Sequence, residues 1–245
     1  MNDEKKQKAE ISVEQSPFLK RLDNFWFHYK WVVIGVAVAL MILLICVLQT
    51  CSTEKKDSVI VYAGPQYLSV GEVDQLSQVM TARLPYDYDN NGDLVAQMSM
   101  YEIYSEEQMR EINQNPDSTA KIDRTRNQNQ YQLFTTYQQT GESSIYFMDP
   151  WLYESMGKEY LCPLSETVGE AVEGAMADGY GVRLGDTALY RDYAVVRYLP
   201  ADTVICLMKP LVWGGSSNEK KSEFEKELYR SIVTYKADAL SESNK

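Results

Sequence analysis

Ser144-Ile145-Tyr146-Phe147-Met148-Asp149-Pro150 is the stretch on which the fold reading turns. The apolar run from Ile145 to Met148 is too short for a helix and suits a strand covered on both faces. Asp149 is a good helix N-cap, and Pro150 is pre-set for the first helical turn, so the chain passes directly from strand to helix. A short helix over Trp151–Met156 then ends at Gly157.

The same alternation extends upstream. Val59-Ile60-Val61-Tyr62-Ala63 reads as a buried strand that stops at the turn signal Gly64-Pro65. Ser69 with Glu72 forms a capping box, followed at helical spacing by Val73, Leu76, Met80 and Leu84. After an Asp/Asn/Gly-rich turn at 87–93, Leu94 to Tyr104 alternates as a strand. The polar stretch Gln108–Asp123, which contains Asn115-Pro116, reads as a loop at its centre. Thr125 with Gln128 caps a helix running to about Gln139, where Thr140-Gly141 stops it.

Downstream, a helix is expected from Thr167, and further strands over Val182–Leu184 and Thr203–Met208. The last element is amphipathic, with Phe224, Leu228, Ile232, Tyr235 and Ala239 on one side. Strands alternating with helices predict one α/β domain, residues 59–240, with a mostly parallel or mixed sheet flanked by helices.

Ahead of that domain, Trp31 to Leu48 holds no charged and no strongly polar residue. At 1.5 Å per residue such a helix spans a bilayer core of roughly 30 Å, so residues 31–50 are expected to be a transmembrane helix. Phe25, Trp26, Phe27, Tyr29 and Trp31 form an aromatic belt at its start. Lys20, Arg21 and Lys30 precede the span, and Lys55 and Lys56 follow it beside Glu54 and Asp57. That bias favours a cytoplasmic tail over 1–30 and places the main domain outside, after a linker over 51–58. Thirty residues before the apolar run is unusual for a cleaved leader, which favours an uncleaved signal anchor. A competing reading is lipidation of Cys51, since Leu48-Gln49-Thr50-Cys51 loosely resembles a lipobox. Gly35 and Ala39 make a small-xxx-small pair within the span.

The chain's net charge of −11 is unevenly spread. Residues 1–30 carry +1, residues 31–50 none, and residues 51–245 carry 18 basic against 30 acidic side chains, a net of −12. Such a domain repels phosphate backbones, which argues against nucleic acid as a partner.

The only histidine, His28, precedes the span. The domain therefore has no Ser–His or Cys–His nucleophile pair and no histidine metal ligand. Asp87, Asp89, Asn91 and Gly92 match positions 1, 3, 5 and 6 of a calcium loop, and Asp93 follows, so Ca2+ is the one cofactor the sequence suggests. The twelfth position is Met98 where a bidentate Glu is expected, and a plain turn is the competing reading. Cys162 and Cys206 either pair as a disulfide or remain two buried thiols. Trp151, Tyr153 and Trp213 are the candidate aromatic binding patch. Two Ser-x-x-Lys tetrads, Ser52–Lys55 and Ser217–Lys220, lack companion motifs and are attributed to chance.

The run FLKRLDNFWFHYKW, the span, DSVIVYAGP, DYDNNGD, GESSIYFMDPWLYE and LPADTVICL together resemble uncharacterised membrane-anchored proteins of clostridial-type Gram-positive bacteria. The domain is also similar to one lobe of type-2 solute-binding proteins, which implies an ancestral ligand-binding fold in too short a chain for two lobes. The expectation is a non-catalytic, membrane-anchored extracytoplasmic binding or accessory module with a protein or small-ligand partner. The alternatives are a carboxylate-dependent surface hydrolase, and a calcium-dependent adhesion or envelope-assembly protein.

Overall fold

The computed structural model describes residues 17–51, 56–116, 121–169, 171–210 and 217–236. It divides into two compact units, Met1–Glu54 and Lys55–Lys245. In the first, helix α1 runs Pro17–Cys51 over 35 residues. It starts well before the apolar run, so the expected tail is helical from Pro17 onward. Pro17 opens it, and no later proline or glycine precedes Trp31 to break it. Within α1, Tyr29–Cys46 has a mean hydropathy of 2.4 and none of it is buried within the chain, so this helix is long and apolar enough to cross a membrane.

The second unit is α/β. Its elements are β1 (Ser58–Gly64), α2 (Val70–Thr81), β2 (Ala96–Glu102), α3 (Glu106–Gln114), α4 (Arg124–Thr140), β3 (Ile145–Met148), α5 (Pro150–Ser155), α6 (Leu164–Thr167), β4 (Gly181–Arg183), α7 (Ala188–Asp192), β5 (Val204–Leu207) and α8 (Ser217–Val233). The sheet order is β2-β1-β3-β5-β4. β1 pairs in parallel with both β2 and β3, while β5 runs antiparallel to β3 and to β4. The sheet is therefore mixed, its parallel part lying where the helical crossovers are.

Strand alternation assigns the two faces. Ile60, Tyr62, Ile145 and Phe147 join α2 (Leu76, Met80) and α8 (Leu228, Ile232) in one core. Val61, Ala63, Tyr146 and Met148 join α4 (Phe134) and α5 (Leu152, Tyr153) in the other. Gly181 permits the close approach of β4, since a Cβ there would stand 2.5 Å from Val204 Cγ1 and 2.9 Å from the Tyr153 ring. Gly141 ends α4 in the left-handed region at φ 68°, as its position after Thr140 predicts.

Local expectations hold at α2, where the Ser69–Glu72 capping box is formed, and at α5, where Asp149 accepts from Trp151 N. Others are corrected. α4 is capped by Asp123, which accepts from Arg126 N, and not by Thr125. The polar stretch Gln108–Asp123, expected to be a loop at its centre, is preceded and entered by a helix that was not foreseen, α3 (Glu106–Gln114), started by a second capping box of Ser105 and Gln108. α6 ends at Thr167 where a helix was expected to begin. Tyr235 lies past the end of α8, and Ala239 falls outside the described residues.

The start of β1 is fastened by polar contacts. Ser58 Oγ donates to Glu225 Oε1 at 3.0 Å, and Glu225 pairs with Lys221 at 3.0 Å. Lys221 Nζ also donates to the Asp57 carbonyl. Glu225 is 1% exposed, and burial pushes its carboxyl above the usual glutamate range against the pull of Lys221 and Ser58. A carboxyl raised in the native state keeps a proton that the unfolded chain releases. Its contribution is full below the ordinary value of 4.5 and is lost as pH rises through the native value. The melting temperature is expected to fall as pH rises through that window, and Glu225→Gln is expected to flatten that part of the profile. Superimposable profiles would contradict the assignment.

Candidate functional site

Two of the candidate groups in the sequence fall at different places on the domain, and the structure adds members to both. The first is the cleft beyond the carboxyl ends of the parallel strands. β1 sends its connection to α2 on one face, whereas β2 and β3 send theirs to α3–α4 and α5 on the other, and the cleft lies between these last helices. A cavity of about 480 Å³ lies here, lined by Ile103, Tyr104, Met109, Gln128, Tyr131 and Trp151 among others. A second, of about 410 Å³, continues beyond Tyr131 along α4 toward Met156, Tyr160 and Met208. Both fall in the size range of small-ligand sites.

Polar clips hold the walls. Asn127 on α4 accepts from Tyr104 N at 2.8 Å and donates to Tyr104 O at 2.9 Å, which fixes α4 to the end of β2. Gln108 on α3 closes its own capping box and donates from Nε2 to Asp149 Oδ2 at 3.0 Å, which fixes α3 to the start of α5. Burial pushes the Asp149 carboxyl above its ordinary range, opposed by the bonds from Gln108 and Trp151 N. Tyr104 donates to Glu102 Oε1 at 2.9 Å, and burial with that carboxylate beside it pushes its hydroxyl up to about 12. Tyr131 and Trp151 stack with centroids 6.4 Å apart, and the Trp151 indole N–H is buried without an acceptor among the described residues.

The carboxylates at this end are engaged. Glu106 pairs with Arg124 at 2.8 Å, and Glu102 pairs with Arg126 at 2.9 Å. The cleft thus offers apolar and aromatic walls, amides, hydroxyls and neutralised ion pairs.

Of the expected aromatic patch, Trp151 lines the cleft, but Tyr153 does not. Tyr153 is 1% exposed and donates its hydroxyl to Asp178 at 2.9 Å, beneath Lys158 Nζ at 3.4 Å from its ring centroid. Residues two apart on a helix face different ways. Trp213 lies outside the described residues. Asn127 and Gln108 were missed because an isolated amide carries no local signal. The capping spacing of Ser105 and Gln108 was the one clue available.

The second group is acidic. Asp57, Asp87 and Asp89 bring carboxylate oxygens within 4.8 Å of one another, an arrangement that could hold a metal ion. Asp57, not foreseen as a member, is fully buried and accepts from Tyr88 N at 2.8 Å, Asp89 N at 3.3 Å and Val95 N at 2.9 Å. Asp87 accepts from Gly92 N at 2.7 Å, a bond that holds its carboxyl below the usual range. Its other oxygen is buried without a donor among the described residues. Asn91 and Asp93 are not brought into the group. Asn91 bonds Asp89 and accepts from Asp93 N. Met98, at the twelfth position of the expected calcium loop, is 1% exposed and packs in the core.

Cys162 and Cys206 are free and buried. Their side chains belong to opposite cores, on the two faces of the sheet, and no disulfide joins them. Burial pushes the Cys206 thiol up to about 12 and raises that of Cys162. Cys51 ends α1, and its side chain is outside the described residues. Ser217 and Lys220 lie in the first turn of α8.

If Asn127 is the clip that holds α4 against β2, Asn127→Ala leaves the Tyr104 N–H and C=O without partners. A loss of about 1–3 kcal/mol in urea unfolding is expected. A variant as stable as the parent would show that the clip is incidental.

Compared with family models, with curated proteins and with solved structures, the chain matches none.

Proposed function

We propose that the chain is a single-pass, membrane-anchored binding or accessory module. Its N-terminus is cytoplasmic, its α/β domain lies outside the membrane, and a ligand or partner is held at the cleft between α3, α4 and α5. The reading is carried by that cleft: a cavity of about 480 Å³ beyond the end of β2, walled by helix ends that the Asn127 and Gln108 amides clip in place. The apolar stretch Tyr29–Cys46 and the basic residues preceding it support the anchor and its direction.

A non-catalytic role is favoured by chemistry already spent. Glu102 and Glu106 sit in ion pairs, Asp123 caps α4, and the one histidine precedes the domain. A hydrolase would require an acid and a base facing one another across the cleft. The stacked Tyr131–Trp151 pair between the two cavities suits recognition.

A ligand that binds the folded state raises the melting temperature. Low-molecular-weight fractions of a cell extract are therefore expected to raise the melting temperature of the full-length chain by about 2–4 °C per kcal/mol of stabilisation at the ligand concentration present. Gln128→Trp, which fills the cleft, is expected to abolish the shift. No shift from any fraction, or an equal shift in the filled variant, would sink the cleft as the binding site.

The acidic group supports a second, compatible reading as a calcium site that stiffens the loop at 87–95. Its observation is the convergence of Asp57 with Asp87 and Asp89, all hard oxygen donors. Calcium at a hundredfold excess over its dissociation constant stabilises a folded state by about 2.7 kcal/mol. A calcium-dependent rise in melting temperature that is lost in Asp87→Asn is expected. An unmoved transition in the parent chain would remove this reading.

A further inference from the structure

Asp149 is a carboxylate at a place where the fold supplies no cation. It is 7% exposed and takes part in no ion pair among the described residues, although buried carboxylates are ordinarily paired. Its two oxygens act on different elements. Oδ1 accepts from Trp151 N at 3.1 Å and caps α5, while Oδ2 accepts from Gln108 Nε2 at 3.0 Å and ties α3 to α5. The other end of the Gln108 amide is already engaged, since Oε1 accepts from Ser105 N at 2.8 Å in the capping box that starts α3. Ser105 and Met109 of α3 and Trp151 of α5 line the cavity of about 480 Å³, so this bond joins two of its walls.

That arrangement suits only the ionised carboxyl. A carboxylate accepts at both oxygens, whereas a carboxylic acid carries one O–H donor. The Trp151 backbone N–H is fixed at Oδ1, so the proton goes to Oδ2, where it faces the donor end of Gln108. Turning the Gln108 amide over would offer Asp149 an acceptor but would break the bond from Ser105 N. Protonation therefore loses either the tie or the cap. No neighbouring charge holds the proton off. Asp202, on the turn before β5, is a second carboxylate, and burial keeps the Tyr62 and Tyr104 hydroxyls neutral. Glu102 pairs with Arg126, Glu106 with Arg124 and Glu107 with Arg110, while Glu111 and Glu154 are exposed. Burial, aided by Asp202 and opposed by the bonds from Gln108 and Trp151 N, holds the Asp149 carboxyl above the ordinary 3.8. We propose that the Gln108–Asp149 bond is an acid-sensitive latch: proton uptake by Asp149 releases α3 from α5 and opens the wall of the cleft. Its use in letting a ligand go rests on the cleft being a binding site, whereas the latch itself needs no ligand.

The test uses the full-length chain in non-ionic detergent with Trp26, Trp31 and Trp213 replaced by Phe, which leaves Trp151 as the one tryptophan. Acrylamide quenching of Trp151 then reads how open the wall is. It is expected to rise several-fold as pH falls, with a midpoint above 3.8, while the far-ultraviolet circular dichroism is unchanged. Asp149→Asn keeps the cap through its carbonyl but sets an amide NH2 against Gln108. At neutral pH this variant is expected to show the raised quenching of the acid form, with no acid step of its own. The exchanged pair Asp149→Asn/Gln108→Glu puts the acceptor on α3, where one oxygen serves Ser105 N and the other receives from the new amide. That pair is expected to return quenching at neutral pH to the parent level, which separates loss of the bond from misfolding. Parent-level quenching in Asp149→Asn overturns the proposal. So does an acid step that persists in that variant, or failure of the exchanged pair to recover. Because the readout is Trp151 and no ligand is added, the latch and ligand binding at the cleft can fail separately.

Discussion

The constraint on which the rest depends is the complete burial of β1. Ile60, Val61, Tyr62 and Ala63 are all 0% exposed, with a parallel strand on either edge and helices on either face. A parallel strand of this kind cannot tolerate an open face, and parallel neighbours require crossover helices. α2 and α8 cover one side and α4 and α5 the other. The polar residues at its foot then have to be satisfied without water. Asp57 draws the loop at 87–95 onto the strand, and Ser58 draws Glu225 of α8. The acidic group is thus as much a consequence of fastening β1 as a feature of the loop that carries it.

The cleft is the same constraint seen from the other end of the sheet. Beyond the end of β2, the helices α3, α4 and α5 that follow β2 and β3 on one face leave a gap between them. What turns the gap into a fixed shape is a pair of amides, Asn127 and Gln108, each of which satisfies the backbone or cap of a neighbouring element. Such clips are costly to lose, because each would leave buried polar groups unpaired. They also keep the walls neutral. The acidic domain therefore presents an uncharged α4 flank beside its cleft, a combination suited to recognition through shape, aromatic contact and hydrogen bonding.

Much of this was legible in the residues. β1 and β3 announce themselves as short apolar runs with turn or cap signals after them, and the Ser69–Glu72 and Asp149–Pro150 starts of α2 and α5 follow from local hydrogen-bonding chemistry. α3 was hidden because a polar nine-residue helix near Asn115-Pro116 looks like a loop, although its capping box was present in Ser105 and Gln108. The antiparallel direction of β5 was not readable, because strand direction depends on long-range connection and TVICLM suits either sense. Long-range contacts also account for the missed role of Asp57, for the inward turn of Tyr153 toward Asp178, and for the separation of Cys162 from Cys206 by the sheet. In each case sequence spacing supplied the residue type, and only packing supplied the partner.

Native-state hydrogen exchange on the full-length chain tests the central place of β1 most directly. If the strand is the hub, the amides of Ile60–Ala63 and of its neighbour Ile145–Met148 exchange only through global unfolding, slower than those of α3 and α7 at the periphery. Exchange of the β1 amides as fast as those of α3, with β3 still protected, would contradict the account.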